Sequence, residues 1–140
     1  MTVPAFVRNL HASRLAEPID GLNRIATRAT AIAAGRPAAI AYPDTVGLTP
    51  STVPSGKRVL DPPGTWDHPT WRRLDFEFTV PHAFSFGFES HAAKGNADFR
   101  AVAHGDLDGD GVLSTFALGG ESRDGSEPTV TPLEVTREVE

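Results

Sequence analysis

The chain contains no cysteine, which excludes a disulfide framework and any thiolate metal site. No segment reaches the roughly 18 consecutive apolar residues of a membrane-spanning helix, and no basic stretch followed by an apolar one marks a signal peptide. There is no Gly-x-Ser-x-Gly elbow, no phosphate-cradling glycine loop and no His-Glu-x-x-His pair. None of His11, His68, His82, His91 and His104 stands at zinc-ligand spacing from another, so they read as surface or supporting histidines. With no legible nucleophile and base constellation, no enzyme is expected. A basic surface is missing as well: the net charge is −5 over 140 residues, which argues against a nucleic-acid-binding module.

The charge that is present is unevenly placed. Residues 1–40 carry five arginines against Glu17 and Asp20, whereas residues 74–140 carry thirteen acids against four bases. This suits copies that pack a basic helix against an acidic sheet, and equally a solvated acidic surface.

Residues 1–35 read as an N-terminal helix. Val3, Phe6, Val7, Leu10, Leu15, Ile19, Leu22, Ile25, Ala26, Ala29, Ile32 and Ala33 recur mostly at steps of three and four, which makes one apolar stripe. Arg8, Arg14, Arg24 and Arg28 fall off it. Pro4 suits a first turn, whereas Pro18 predicts a kink near Ala16–Pro18 or two helices in series. Gly35-Arg36-Pro37 is a stop signal. Thirty helical residues span roughly 45 Å, longer than the body of a small domain, so part of the helix is expected to project.

Residues 36–73 contain seven prolines and read as an ordered loop anchored by Tyr42, Val59, Leu60, Trp66 and Trp71. The two tryptophans suit either a stacking surface for a sugar or protein, or, more commonly, pins that hold the loop to the body. In 74–120, Leu74-Phe76-Phe78-Val80 and Phe84-Phe86-Phe88 alternate with polar residues, with Pro81-His82 as the turn between them. Runs at 99–104 and 112–118 follow. The expectation is an α+β fold in one domain: a long N-terminal helix packed on a small antiparallel sheet of about four strands. Residues 121–140 read as a C-terminal tail with a short edge strand around Leu133, Val135 and Val139.

The sharpest local signal is Asp106-x-Asp108-x-Asp110-Gly111, which matches the first half of a calcium loop. Val112 would offer a backbone carbonyl and Ser114 a hydroxyl or water. The twelfth position, which should be a bidentate glutamate, is Ala117. Flanking strands also argue against an EF-hand, and Glu121 or Asp124 is left to complete the shell. The alternative is a bare hairpin turn, which Asp-Gly favours.

The order of elements, together with Val3-Pro4-Ala5-Phe6, the run Gly64-Thr65-Trp66-Asp67-His68-Pro69-Thr70-Trp71 and the run Ala103 to Gly111 ending in Ser114-Thr115-Phe116, resembles type IV pilin-like and type II secretion pseudopilin-like proteins of the myxobacterial type. The resemblance covers residues 3 to about 120. It departs in lacking cysteine and the leader, processing site and apolar segment that such proteins carry, so a missing N-terminal segment is expected to provide the inner-membrane anchor. The resemblance implies a structural subunit of a type IV pilus or type II secretion pseudopilus at the cell surface, reached through the inner membrane and periplasm. Copies would form a helical homo-oligomer with other pilin-like subunits, pack through Val3, Phe6, Val7 and Leu10, and be stabilised by calcium. The rival expectation is a free extracellular calcium-binding or adhesive module that does not polymerise.

Overall fold

The computed structural model describes residues 3–106, 109–111 and 113–136, and side chains from Ala16 onward. Helix α1 spans Val3–Ala33 without interruption at Pro18. Leu22, Ile25, Ala26, Ala29 and Ala33 are buried while Asn23, Arg24, Thr27, Arg28 and Ala31 are exposed, the one-sided pattern of a helix lying on a core. Gly35 ends it at φ 75°, where the Arg36 N–H reaches the Ala33 carbonyl, a left-handed stop that suits a residue without Cβ.

The body is a six-stranded antiparallel sheet: β1 (Val46–Thr49), β2 (Phe84–Ala93), β3 (Asn96–Gly105), β4 (Ser114–Arg123), β5 (Thr129–Val130) and β6 (Glu134–Thr136). The order is β1-β2-β3-β4-β5, with β6 also on β4. A short helix α2 (Pro69–Arg73) precedes β2. Register explains the packing. Phe84 lies opposite Gly105, Phe86 opposite Ala103, Phe88 opposite Ala101 and Phe99 opposite Gly120. Each large ring thus sits beside a small residue, and a Cβ on Gly105 would lie 2.5 Å from the Phe84 ring. Burying each phenylalanine contributes roughly 1.5–3 kcal/mol.

This arrangement corrects the expected fold. The sheet has six strands rather than about four and is the larger body of the molecule; the described α1 side chains, residues 16–33, are what cover it. Leu74–Val80 is not a strand. Pro69–Arg73 forms α2 instead, closed by Asp75 at φ 51°, with the Asp75 N–H on the Arg72 carbonyl and the Phe76 N–H on the Trp71 carbonyl. That Schellman closure leaves Phe76 buried and Phe78 partly buried while Glu77 and Thr79 point outward, so alternation appears without a ladder. The proline segment hides β1, and β4 runs on through Arg123 into the expected tail.

A close approach of α1 to the sheet depends on Gly21. A Cβ there would lie 2.6 Å from the Phe86 ring. Gly21→Ala gains up to about 1 kcal/mol of helix propensity but forces α1 off a ring fixed by Phe76 and Phe78. Overpacking of about 1–3 kcal/mol dominates. The expected outcome is a lower midpoint in urea, and a higher one would refute the close-packing argument.

Candidate functional site

At one end of the sheet, the start of β2, the end of β3 and the start of β4 meet the proline segment and Glu17 of α1. Two polar centres form there.

The first is the turn after β3. Asp106 is 4% exposed. Its Oδ1 accepts the Asp110 N–H (3.1 Å), and its Oδ2 accepts the Gly111 N–H (3.0 Å) and the Ser55 hydroxyl (3.0 Å). Its carbonyl accepts N–H groups from Gly56 (2.6 Å) and Gly109 (3.2 Å). Asp106 therefore organises its own turn and ties it to the proline segment. Burial pushes the carboxyl up, but the Gly111 N–H, the Ser55 hydroxyl, and the Asp110 side chain and N–H outweigh it and hold the group below the ordinary aspartate value.

The donor set tests whether a calcium ion fits. A carboxylate offers about four lone-pair positions, and at least three of them take donors of the protein, two on Oδ2 and one on Oδ1. Asp110 is exposed at the rim and Ser114 is buried at the start of β4. Asp108 and Val112 lie outside the described residues. Glu121 and Asp124 do not come to the turn: Glu121 lies seven residues along β4 from Ser114, some 23 Å at about 3.3 Å per residue. Asp124 instead accepts the Ala38 N–H at 2.8 Å. Among the described residues, no three carboxylates or imidazoles gather at metal-binding distance. Among the described residues the turn is satisfied by its own donors, and the carboxylates on which a cation would have to rest are Asp106 and Asp110.

The second centre escaped the sequence reading. His82 is 1% exposed and follows Pro81 just before β2. Its Nδ1 lies 2.8 Å from the Phe84 carbonyl and its Nε2 lies 2.5 Å from Asp61. A carbonyl only accepts, so Nδ1 carries hydrogen. Asp61 also accepts the Trp66 indole N–H at 2.7 Å, and Phe78 stacks on the imidazole at 4.4 Å. Glu17 completes the cluster. It accepts N–H groups from Ala83 and Phe84 at 2.7–3.0 Å and stands 4.0 Å from His82 Nδ1. No spacing rule signals this cluster, because its members come from α1, the proline segment and β2. With both imidazole nitrogens engaged, His82 links three segments and is not placed as a base.

The remaining residues singled out from sequence are scattered. Trp66 and Trp71 are 6% and 1% exposed, and Trp71 donates to the Thr49 hydroxyl at 3.0 Å; they pin the proline segment rather than offer a stacking surface. His68 caps α2 by accepting the Thr70 N–H, His91 meets Asp98 at 3.1 Å, and His104 meets Thr115 at 2.9 Å. The side chains of His11, Val3, Phe6, Val7 and Leu10 lie outside the described residues. No described helix is long and apolar enough to cross a membrane.

No protein family, curated protein or solved structure matches this chain.

The two carboxylates have opposite consequences for acid stability. Burial lifts Glu17 above its ordinary value, against the pull of the Ala83 and Phe84 N–H groups and of the His82 and Arg58 charges. A raised carboxyl means that the native state holds the proton more tightly, so the contribution is full below the unfolded glutamate value and is lost as pH rises through the folded one. Asp106 is depressed, so its contribution is present above the unfolded aspartate value and is lost as pH falls through the folded one. Urea unfolding measured between about pH 2 and 7 is expected to lose its steep acid limb in Asp106→Asn. In Glu17→Gln the decline above the glutamate range is expected to disappear. Parallel curves for parent and variants would contradict these assignments.

Proposed function

We propose that this chain is a structural subunit of a surface filament of the type IV pilin-like kind, with α1 as its assembly element. The observation that carries the reading is the extent of α1. The helix spans Val3–Ala33, yet its anchorage at the loop end of the sheet is Glu17. Fourteen helical residues precede that anchor, about 20 Å at 1.5 Å per residue, and they carry the stripe Val3, Phe6, Val7 and Leu10. A head-to-tail neighbour that packed on this stripe would generate a fibre, because such a contact repeats without closing.

The test is electron microscopy of the native cell-surface fraction with antibody to this chain. Labelled fibres with α1 along the axis support the proposal. Labelled material that is never fibrous overturns it in favour of a free adhesive module.

The same proposal gives the Asp106 turn a calcium ion held by Asp106 and Asp110, with Asp108, Val112 and Ser114 as the other ligands. The ion would neutralise the crowded carboxylates and stiffen the turn. The melting temperature is expected to rise in saturating calcium and to fall back with chelator. Asp110→Asn should abolish the response, because Asp110 is exposed and its loss leaves the core intact. An identical melting temperature with calcium and with chelator would leave the turn as a metal-free device.

A further inference from the structure

A groove of about 540 Å³ opens between the proline segment and the 77–79 strip. Exposed Leu60, Pro62, Pro63 and Glu77 line its outer part, and buried Trp66 and half-buried Phe78 line its base. Both sides are held in place. On one, Asp61 is tied to His82 and to the Trp66 indole N–H; on the other, Phe78 stacks on the same imidazole at 4.4 Å. The groove is therefore formed before any ligand arrives, which lowers the ordering cost of binding. Its charge is one-sided: Asp61, Asp67 and Glu77 line it against Arg72. Asp61 is spent on His82 and Trp66, and Asp67 is bridged to Arg72. Glu77 is exposed and, among the described residues, takes no hydrogen bond or ion pair.

We infer that this groove is a docking site for a polypeptide segment of a partner protein that presents an arginine or lysine flanked by apolar residues. Charge chooses the cation. The three carboxylates repel an acidic peptide or a nucleic acid, and Glu77 is a carboxylate with no partner of its own among the described residues. The aromatic base suits the same group: the methylene stem of a basic side chain packs on apolar surface while its charged head stays at the rim, and the negative face of an aromatic ring attracts a cation. A sugar fits less well, because Trp66 is only 6% exposed and one face of Phe78 is already covered by His82. The apolar wall chooses a polypeptide over a small cation. Leu60 is 63% exposed, and Pro62 and Pro63 continue beyond it, so residues on either side of the basic one also find apolar contact. The filament reading is not required for this contact.

The test follows the amide and indole N–H resonances of the full chain by NMR. The probe is a blocked tripeptide with arginine between two leucines, added to about 10 mM, which covers millimolar affinities. The expected result is saturable shifts at the Trp66 indole and at the Thr65, Phe78 and Thr79 amides. The same tripeptide with glutamine in place of arginine is expected to bind about fivefold more weakly, the scale of an exposed ion pair, and the version with glutamate more weakly still. Glu77→Gln should weaken the arginine probe about fivefold and leave the glutamine probe unchanged. Its side chain is at the surface, so the rest of its spectrum should match the parent. Arginine amide alone should bind more weakly than the tripeptide, because it leaves the apolar wall unused. No saturable shift, or shifts that map to another acidic surface such as that around Glu121, would overturn the site. Equal affinity for the arginine and glutamine probes, or for the arginine probe in parent and Glu77→Gln, would overturn the basic ligand. Equal affinity for arginine amide and the tripeptide would overturn the polypeptide.

Discussion

Phe86→Ala is expected to cost about 3–5 kcal/mol, and to lower the thermal midpoint on the order of 10 °C. Phe86 is fully buried, 5.1 Å from the Phe76 ring and 5.5 Å from Phe78, with Gly21 of α1 against its edge. Removing the ring leaves a cavity between sheet, α1 and the 74–80 segment. Its walls cannot collapse, because the opposite residue, Ala103, is held in register by two neighbouring strands. Phe86→Leu keeps most of the volume and is expected to cost about 1–1.5 kcal/mol. A double-mutant cycle isolates the contact: the penalty of Gly21→Ala should shrink in the Phe86→Ala background by at least about 0.5 kcal/mol. Urea denaturation of the four proteins measures this, and strict additivity would show that the α1 approach is not set by this ring.

Asp61→Ala is expected to destabilise by about 3–5 kcal/mol, the cost of leaving the other members of a buried polar pair without a partner. The carboxylate serves His82 Nε2 and the Trp66 indole N–H at once, in a site where its side chain is 4% exposed. Alanine supplies no acceptor and is too small to exclude water. The loss should spread beyond the proline segment, because His82 also joins Phe84 of β2 and stands against Glu17 of α1. Hydrogen exchange should therefore show faster opening at the start of β2 as well as at Trp66. Asp61→Leu combined with His82→Phe removes both polar partners and is expected to recover much of the stability. A single Asp61→Ala variant within 0.5 kcal/mol of the parent, on the scale of ordinary surface changes, would contradict the assignment.

Local patterns read well where one face of an element meets the core. The stripe Leu22, Ile25, Ala26, Ala29 and Ala33 located the packed face of α1, and Gly35 marked its end. The alternation at Phe84, Phe86 and Phe88 located β2, because every second residue there faces the helix. The same alternation misled at Leu74–Val80: Phe76 and Phe78 point inward from an irregular strip, and burial without a ladder leaves the same imprint on sequence as a strand. β1 was hidden by the prolines around it and β5 by its shortness, since a strand of two residues holds no full period, whereas the edge strand expected around Leu133 and Val135 is found as β6.

The site divides along the same line. Asp106, Asp110 and Gly111 are close in sequence, so their turn was legible before any fold was known. That Asp106 spends its lone pairs on Ser55 and on its own turn was not legible, because Ser55 lies 51 residues away. The same holds for Glu17, Asp61 and His82, which three separate segments bring together. The amphipathic helix, the aromatic strand at Phe84–Phe88 and the acidic turn were legible along the chain, because periodicity and local charge are properties of neighbouring residues. The six-stranded sheet and the buried polar link came from the fold, because each depends on segments brought together by packing rather than by order along the chain.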